Sequence, residues 1–287
     1  MKLAINGQQL ANTHSLAQIL DVLNEHAVDA IELWPWNLPP GRGAGEEDEQ
    51  RYEKRDVAAA AGLLRQRGVT CACVTLGFNA APICFASGGG ANYTRALIGA
   101  VDAAVTLGAK IVNTYCVGIP LEYWGRAAQP AGAYAAEKGV VITLENEAHD
   151  ESGLPANVAD VLDKFGGPGL GTEFDPCNYY HAGIEPFPYA YDTIRKHIRY
   201  VHLKGGSQYH AEVRGLRKGY PMRDSRRDFI AYVPLPEAAF NVEAMVRALR
   251  RDGYDGWLTL EPHVTGDDIL EFYRQEVPYV KNLLASR

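Results

Sequence analysis

The sequence predicts a single-domain (β/α)8 barrel, and three observations carry that prediction. Short β-rich runs alternate with longer helix-periodic segments along all 287 residues, the pattern of a parallel sheet wound by crossover helices. The length matches one barrel of roughly 250 residues plus loop insertions. No GxGxxG fingerprint follows the first strand, so the usual mark of a doubly wound open sheet is missing. Residues 1–287 are therefore read as one domain, with loop insertions at about 39–50 and 205–232.

The elements follow in order. The first strand is Lys2 to Asn6, and Ser15 caps an apolar-periodic helix, LAQILDVLNEHAV. Strand two is AIELW from Ala30, an Ala- and Arg-rich helix runs from about Asp56 to Arg67, and strand three is VTCACVTL. A helix from Asn92 to Leu107 and strand four, KIVNTYCV, complete the first half. Strands five to eight are GVVITLEN, GLGTEFDPCN, RYVHLKG and GWLTLEPH. Helices fall at about Leu154 to Phe165, Ala190 to His197, Val242 to Asp252 and Asp267 to Leu284. The Gly-rich acidic segment PPGRGAGEEDEQ after strand two and the stretch Gly205 to Tyr232, which carries Arg214, Arg217, Lys218, Arg223, Arg226 and Arg227, lack periodicity and read as loops. Both follow strands, which puts them on the catalytic face of a barrel.

Composition narrows the function. The chain is 47% hydrophobic and 22% charged, which suits a soluble globule, and its net charge of -7 argues against nucleic acid as the main partner. No stretch approaches the roughly 18 apolar residues of a membrane span, and the apolar run in MKLAINGQQL is too short for a signal peptide. Cys71, Cys73, Cys84, Cys116 and Cys177 lack zinc-site spacing and read as reduced thiols of a cytoplasmic protein.

The chemistry concentrates at the ends of the last four strands, which carry Glu145, Asp175, His202 and Glu261. In a barrel these ends converge on one mouth. Three carboxylates and an imidazole form an oxygen and nitrogen donor set suited to one divalent ion, Mn²⁺ first, with Mg²⁺ or Co²⁺ as alternatives. Without a cation the carboxylates would repel one another. Side-chain alternation puts Thr143, Glu173, Tyr200 and Thr259 one layer below, a polar layer able to orient the ligands.

LENE with Glu145, FDPCN with Asp175, VHLKG with His202 and GYDGWLTLEPH with Glu261 resemble the sugar isomerase/epimerase group of xylose-isomerase-like TIM barrels. The resemblance implies that the four residues bind one divalent cation and that Glu145 and Glu261 also move protons. Many epimerases of that group have a histidine three residues after the aspartate, and here the position is Asn178, whose amide cannot relay a proton. His149 and His181 lie nearby as other titratable groups. The implied reaction is proton abstraction next to the carbonyl of a sugar or keto-sugar, giving epimerisation or isomerisation.

The chain also resembles the catalytic subunits of bacterial C-glycoside deglycosidases, which cleave 3-keto C-glycosides and work with a small β-sandwich partner. That resemblance implies His149 as a base for the aglycone and a hetero-oligomer with a small β-rich subunit. Trp34 and Trp36 are candidates to stack on a sugar or aglycone, and Asn178, Lys204 and His263 to contact substrate, with Glu147 and His263 each two residues from a ligand. A repair nuclease of the endonuclease IV type would need more histidines and a basic groove, and a non-catalytic binding protein would not need four competent ligands.

Overall fold

The computed structural model describes residues 1–41, 50–208, 230–264 and 268–286. In chain order the strands are β1 (Lys2–Asn6), β2 (Ala30–Leu33), β3 (Thr70–Thr75), β4 (Ile111–Thr114), β5 (Val141–Glu145), β6 (Leu170–Phe174), β7 (Ile198–Leu203), β8 (Gly205–Gln208), β9 (Ile230–Val233) and β10 (Trp257–Leu260). The helices are α1 (Leu16–Glu25), α2 (Val57–Arg67), α3 (Ala80–Leu107), α4 (Leu121–Glu137), α5 (Pro155–Phe165), α6 (Pro176–His181), α7 (Tyr191–Ile194), α8 (Val242–Arg251) and α9 (Asp268–Ala285).

Eight parallel strands close into a barrel in the order β1, β10, β7, β6, β5, β4, β3, β2, as the alternation predicts. Local signals start and stop the helices. Ser15 and Gln18 form a reciprocal capping box at α1, Asp56 accepts from the Ala59 N–H at α2, and Asn241 accepts from the Ala244 N–H at α8. Gly68 ends α2 in the left-handed conformation at φ 66°. At the lower end of the barrel, Ala4, Ala30 and Ala72 leave room for the half-buried Trp257 ring. Small residues from three strands thus make space for one large plug. Among the described residues no helix is long and apolar enough to cross a membrane.

Four differences from the sequence expectations have physical causes. The sixth strand was expected to run through Asn178 but stops at Phe174, because Pro176 lacks a ladder donor and Asp175 caps α6 by accepting from the Asn178 N–H. The helix expected from Asn92 begins at Ala80, and Gly88 and Gly89 interrupt it with non-helical dihedrals. Helix α4 had no predicted bounds, because Pro130 lies in its interior and no side chain caps its start. The segment 205–232 was expected to be irregular, yet its ends pair as the antiparallel β8 and β9, with Gly205 opposite Val233 and Gln208 opposite Ile230. Residues 42–49 and 209–229 of the two predicted loops lie outside the described residues.

Outside the barrel mouth, Glu276 on α9 is fully buried. Its Oε1 accepts from the Leu235 N–H at 2.9 Å, while Oε2 has no hydrogen-bond partner among the described residues. Burial pushes this carboxyl up from 4.5 to about 8, so the folded protein holds a proton there that the unfolded chain has released. The resulting stability is fully present below about pH 4.5, falls with rising pH, and is lost as pH passes about 8. Wild-type melting temperature is therefore expected to fall between pH 6 and 9. Glu276→Gln keeps an acceptor for Leu235 and should flatten that limb by a few degrees, on the order of 2 °C per kcal/mol recovered. Parallel melting curves for the two proteins would contradict this.

Candidate metal centre

Each predicted ligand sits at the end of a strand. Glu145 is the last residue of β5, His202 the penultimate residue of β7, and Asp175 and Glu261 each follow the last residue of β6 and β10. One ligand atom from each of Glu145, Asp175, His202 and Glu261 lies within 4.8 Å of every other, and all four residues are buried. Hydrogen-bond register alone does not align them. Glu145 lies opposite Glu173, and His202 opposite Thr259, because rows of paired residues slant around a sheared barrel. The groups meet through that slant and through the two backbones that turn off past their strands.

Each carboxylate is held on one side by an amide. Glu145 Oε2 accepts from Asn113 Nδ2 at 2.7 Å and its Oε1 from Asn178 Nδ2 at 3.3 Å. Thr143 Oγ1 donates to Asn113 Oδ1 at 2.9 Å, which orients that amide. Asp175 Oδ1 accepts from the Asn178 N–H, while Asn146 bonds both the N–H and the carbonyl of Asp175 at 2.9 and 3.0 Å. Glu261 Oε1 accepts from Asn6 Nδ2 at 2.9 Å. His202 presents Nδ1 to Glu261 Oε2 at 3.3 Å and to Glu145 Oε1 at 3.5 Å.

The predicted lower layer is hydrogen-bonded. Glu173 Oε1 accepts from the His202 backbone N–H at 2.6 Å, and Tyr200 shares a 2.6 Å hydrogen bond with Thr259. Three polar residues at the mouth were not foreseen: Asn6 on β1, Glu32 on β2 and Asn113 on β4. Glu32, fully buried, meets His202 Nε2 at 2.7 Å. A signal did exist, since Asn6, Glu32, Thr75 and Asn113 are polar residues in the last two positions of largely apolar strands. It carried no motif, and a register shift between Ile31 and Glu32 hides the alternation of β2.

The remaining predicted residues fall in different places. Lys204 is buried with its Nζ 2.8 Å from Asp175 Oδ2 and 2.9 Å from Glu261 Oε2. His263, half-buried, brings Nε2 to 3.4 Å from Glu261 Oε2 and packs its ring on Tyr232. Trp34 is fully buried, its Nε1 committed to Asn6 Oδ1 at 2.9 Å, and its ring packs between Tyr115 and Trp36. Trp36 is half-buried and is the member of this pair with surface left for a ligand. His149 is exposed and meets His181 edge to face at 4.7 Å. Glu147, half-buried, has its carboxyl pushed well up by burial and by the Glu145 charge.

Electrostatics define what the site can hold. Among the described residues, Glu32, Glu145, Glu173, Asp175 and Glu261, five carboxyl groups each no more than 2% exposed, surround the buried Lys204 ammonium and His202 imidazole. Burial pushes Glu173 and Asp175 upward, and neighbouring carboxylates add to that. For His202 burial works downward, but Glu173, Glu32, Glu261 and Glu145 outweigh it and raise the ring well above its ordinary value. Burial also works upward on Glu261, where Lys204 and His202 outweigh it and hold the carboxylate well below the usual range. The excess of negative charge, and a His202 Nδ1 with no hydrogen-bond partner among the described residues, fit a divalent cation bound by the four converging groups.

A closed parallel barrel with a buried carboxylate and imidazole cluster at the C-terminal ends of its strands defines a class of barrel proteins able to hold a divalent ion. The family model for the xylose isomerase-like TIM barrel matches residues 20–283, and the chain belongs to that family. No curated protein matches the sequence. Among solved structures, a xylose isomerase-like TIM barrel protein from Mycobacterium smegmatis in complex with magnesium superposes with a TM-score of 0.73 at 16% identity, covering 99% of this chain and 96% of that one. The probable 3-DHS dehydratase AsbF from Bacillus anthracis, involved in petrobactin synthesis, gives 0.70 at 15% identity over 98% and 99%. The IOLI protein with a binding zinc atom gives 0.69 at 15% identity over 98% of each chain. At these identities the likeness is one of fold.

Proposed function

We propose that this protein is a divalent-metal-dependent enzyme that removes a proton next to the carbonyl of a sugar or keto-sugar and returns it, as an isomerase or epimerase does. The observation that carries this reading is the buried Glu145, Asp175, His202 and Glu261 cluster, with an imidazole nitrogen that faces two carboxylates and has no hydrogen-bond partner among the described residues. Bound there, a Mn²⁺ ion, or Mg²⁺ or Co²⁺, would stabilise negative charge developing on substrate oxygens during proton removal. Glu145 and Glu261 are the acid/base pair. Lys204 pairs with Glu261 at 2.9 Å, while the Asn113 and Asn178 amides fix the plane of Glu145. Asn178 orients Glu145 and moves no proton. Trp36 and His263 line the approach, and Lys204 bonds a substrate oxygen. The free, buried cysteines suit a cytoplasmic protein.

Elimination is the second reading, favoured by the exposed His149 on the loop that follows Glu145. A base there would take the proton of a phenolic aglycone as a keto-glycoside loses it, with a small β-rich partner subunit completing the enzyme. One assay separates the readings. The protein and Mn²⁺ are incubated in deuterated solvent with a panel of ketoses and 3-keto-glycosides. Deuterium entering the carbon beside the carbonyl supports proton abstraction, and release of aglycone shifts the assignment to elimination. Protein with one bound Mn²⁺ per chain but no exchange and no release across the panel would overturn both, and two or three ions per chain would favour a nuclease.

A further inference from the structure

We propose that Glu32 is a positioning residue that fixes which ring nitrogen of His202 is free for the cation, through a hydrogen-bond chain whose direction is set by Trp34. This inference rests on the reading that a cation occupies the cluster. The chain starts at a group that can only donate, the Trp34 indole, whose Nε1 gives its hydrogen to Asn6 Oδ1 at 2.9 Å. The Gln8 backbone N–H, also only a donor, gives to the same oxygen at 2.8 Å. Asn6 is thereby oriented without ambiguity. Its Nδ2 turns the other way and donates to Glu32 Oε1 at 3.1 Å and to Glu261 Oε1 at 2.9 Å.

Glu32 is fully buried, and four donors fill its acceptor positions. Oε1 receives Asn6 Nδ2 and the Thr75 hydroxyl, the latter at 2.6 Å. Oε2 receives the Tyr200 hydroxyl at 2.8 Å and faces His202 Nε2 at 2.7 Å. Oε2, already the acceptor for Tyr200, accepts from Nε2 as well, so Nε2 carries the ring hydrogen. With a cation bound, Nδ1 would be the nitrogen that offers its lone pair, and it lies 3.5 Å from Glu145 Oε1 and 3.3 Å from Glu261 Oε2.

The nearly isosteric Glu32→Gln inverts this logic. Asn6 Nδ2 still demands an oxygen at the Oε1 position, which forces the new amide nitrogen to the Oε2 position, facing His202. Two donors cannot meet there. The ring must give up the hydrogen on Nε2 and carry one on Nδ1, where the cation belongs.

The test is long-range proton–nitrogen NMR of ¹⁵N-histidine protein with and without Mg²⁺, together with calorimetric Mn²⁺ titration. Wild type is expected to show His202 with hydrogen on Nε2 and, once Mg²⁺ is added, none on Nδ1. Glu32→Gln is expected to place hydrogen on Nδ1 and to weaken Mn²⁺ binding by about 10- to 100-fold. Tyr200→Phe removes one donor but keeps the carboxylate, and should retain the Nε2–H form with a loss under about tenfold. Unaltered Mn²⁺ affinity in Glu32→Gln overturns the role of Glu32 while the cation site stands. A bare Nε2 in the wild-type spectrum overturns it too, even if Glu32→Gln does not fold. Wild type that binds no Mn²⁺ overturns the cation reading underneath.

Discussion

Asp175→Asn is expected to leave the barrel folded and to reduce metal-dependent proton exchange by at least ~10²- to 10³-fold, the scale on which loss of one preorganised electrostatic element is felt in a catalytic site. The substitution separates two jobs of one side chain. Asp175 Oδ1 caps α6 by accepting from the Asn178 N–H at 2.9 Å, and asparagine caps about as well. Oδ2 faces the interior of the cluster, 2.8 Å from the Lys204 ammonium, and there the amide brings no charge. Lys204 then loses one of its two carboxylate partners, and the cation one of three. Melting temperature should move little while Mn²⁺ titration and deuterium exchange both collapse. Exhaustive chelation of wild type should give the same loss, reversed by Mn²⁺. An Asp175→Asn protein that keeps exchange within twofold of wild type would remove the basis of the proposed function.

Adding the ion should also stabilise the fold. Among the described residues, five buried carboxyl groups crowd around the Lys204 ammonium and the His202 imidazole, so part of the folding free energy offsets their mutual repulsion. A ligand that binds only the folded state stabilises it by about 4 kcal/mol at a thousandfold excess over its dissociation constant. For a chain of this size that is roughly 8 °C, at about 2 °C per kcal/mol. Thermal melts of chelated protein with increasing Mn²⁺ should show that rise, and His202→Ala should abolish it. A melting temperature indifferent to Mn²⁺, Mg²⁺ and Co²⁺ would mean that the cluster holds no ion.

The legibility of this site differed between the two halves of the barrel. Glu145, Asp175, His202 and Glu261 stood out because each is a chemically distinctive residue in a recognisable strand-end motif, and alternation then pointed to Thr143, Glu173, Tyr200 and Thr259 beneath them. Glu32 and Asn6 are as close to the chemistry but belong to AIELW and KLAIN, which resemble ordinary strands. Their partners, His202 and Trp34, are 170 and 28 residues away. Trp34 read as an aromatic surface for a substrate, and its burial with Nε1 committed to Asn6 could come only from the packing of the rim. Lys204 was legible as a candidate functional residue, though not as a charge buried between the Asp175 and Glu261 carboxylates.

Local pattern alone determined the alternation of strands and helices, the cap at Ser15, and the four residues with metal-ligand chemistry, because period, capping and side-chain type are properties of neighbours along the chain. The tertiary structure decided which oxygens face inward, which amides hold them and which nitrogen of His202 is left open. Those choices depend on the shear of the closed barrel and on donors and acceptors from opposite ends of the sequence, and short-range pattern carries no record of either.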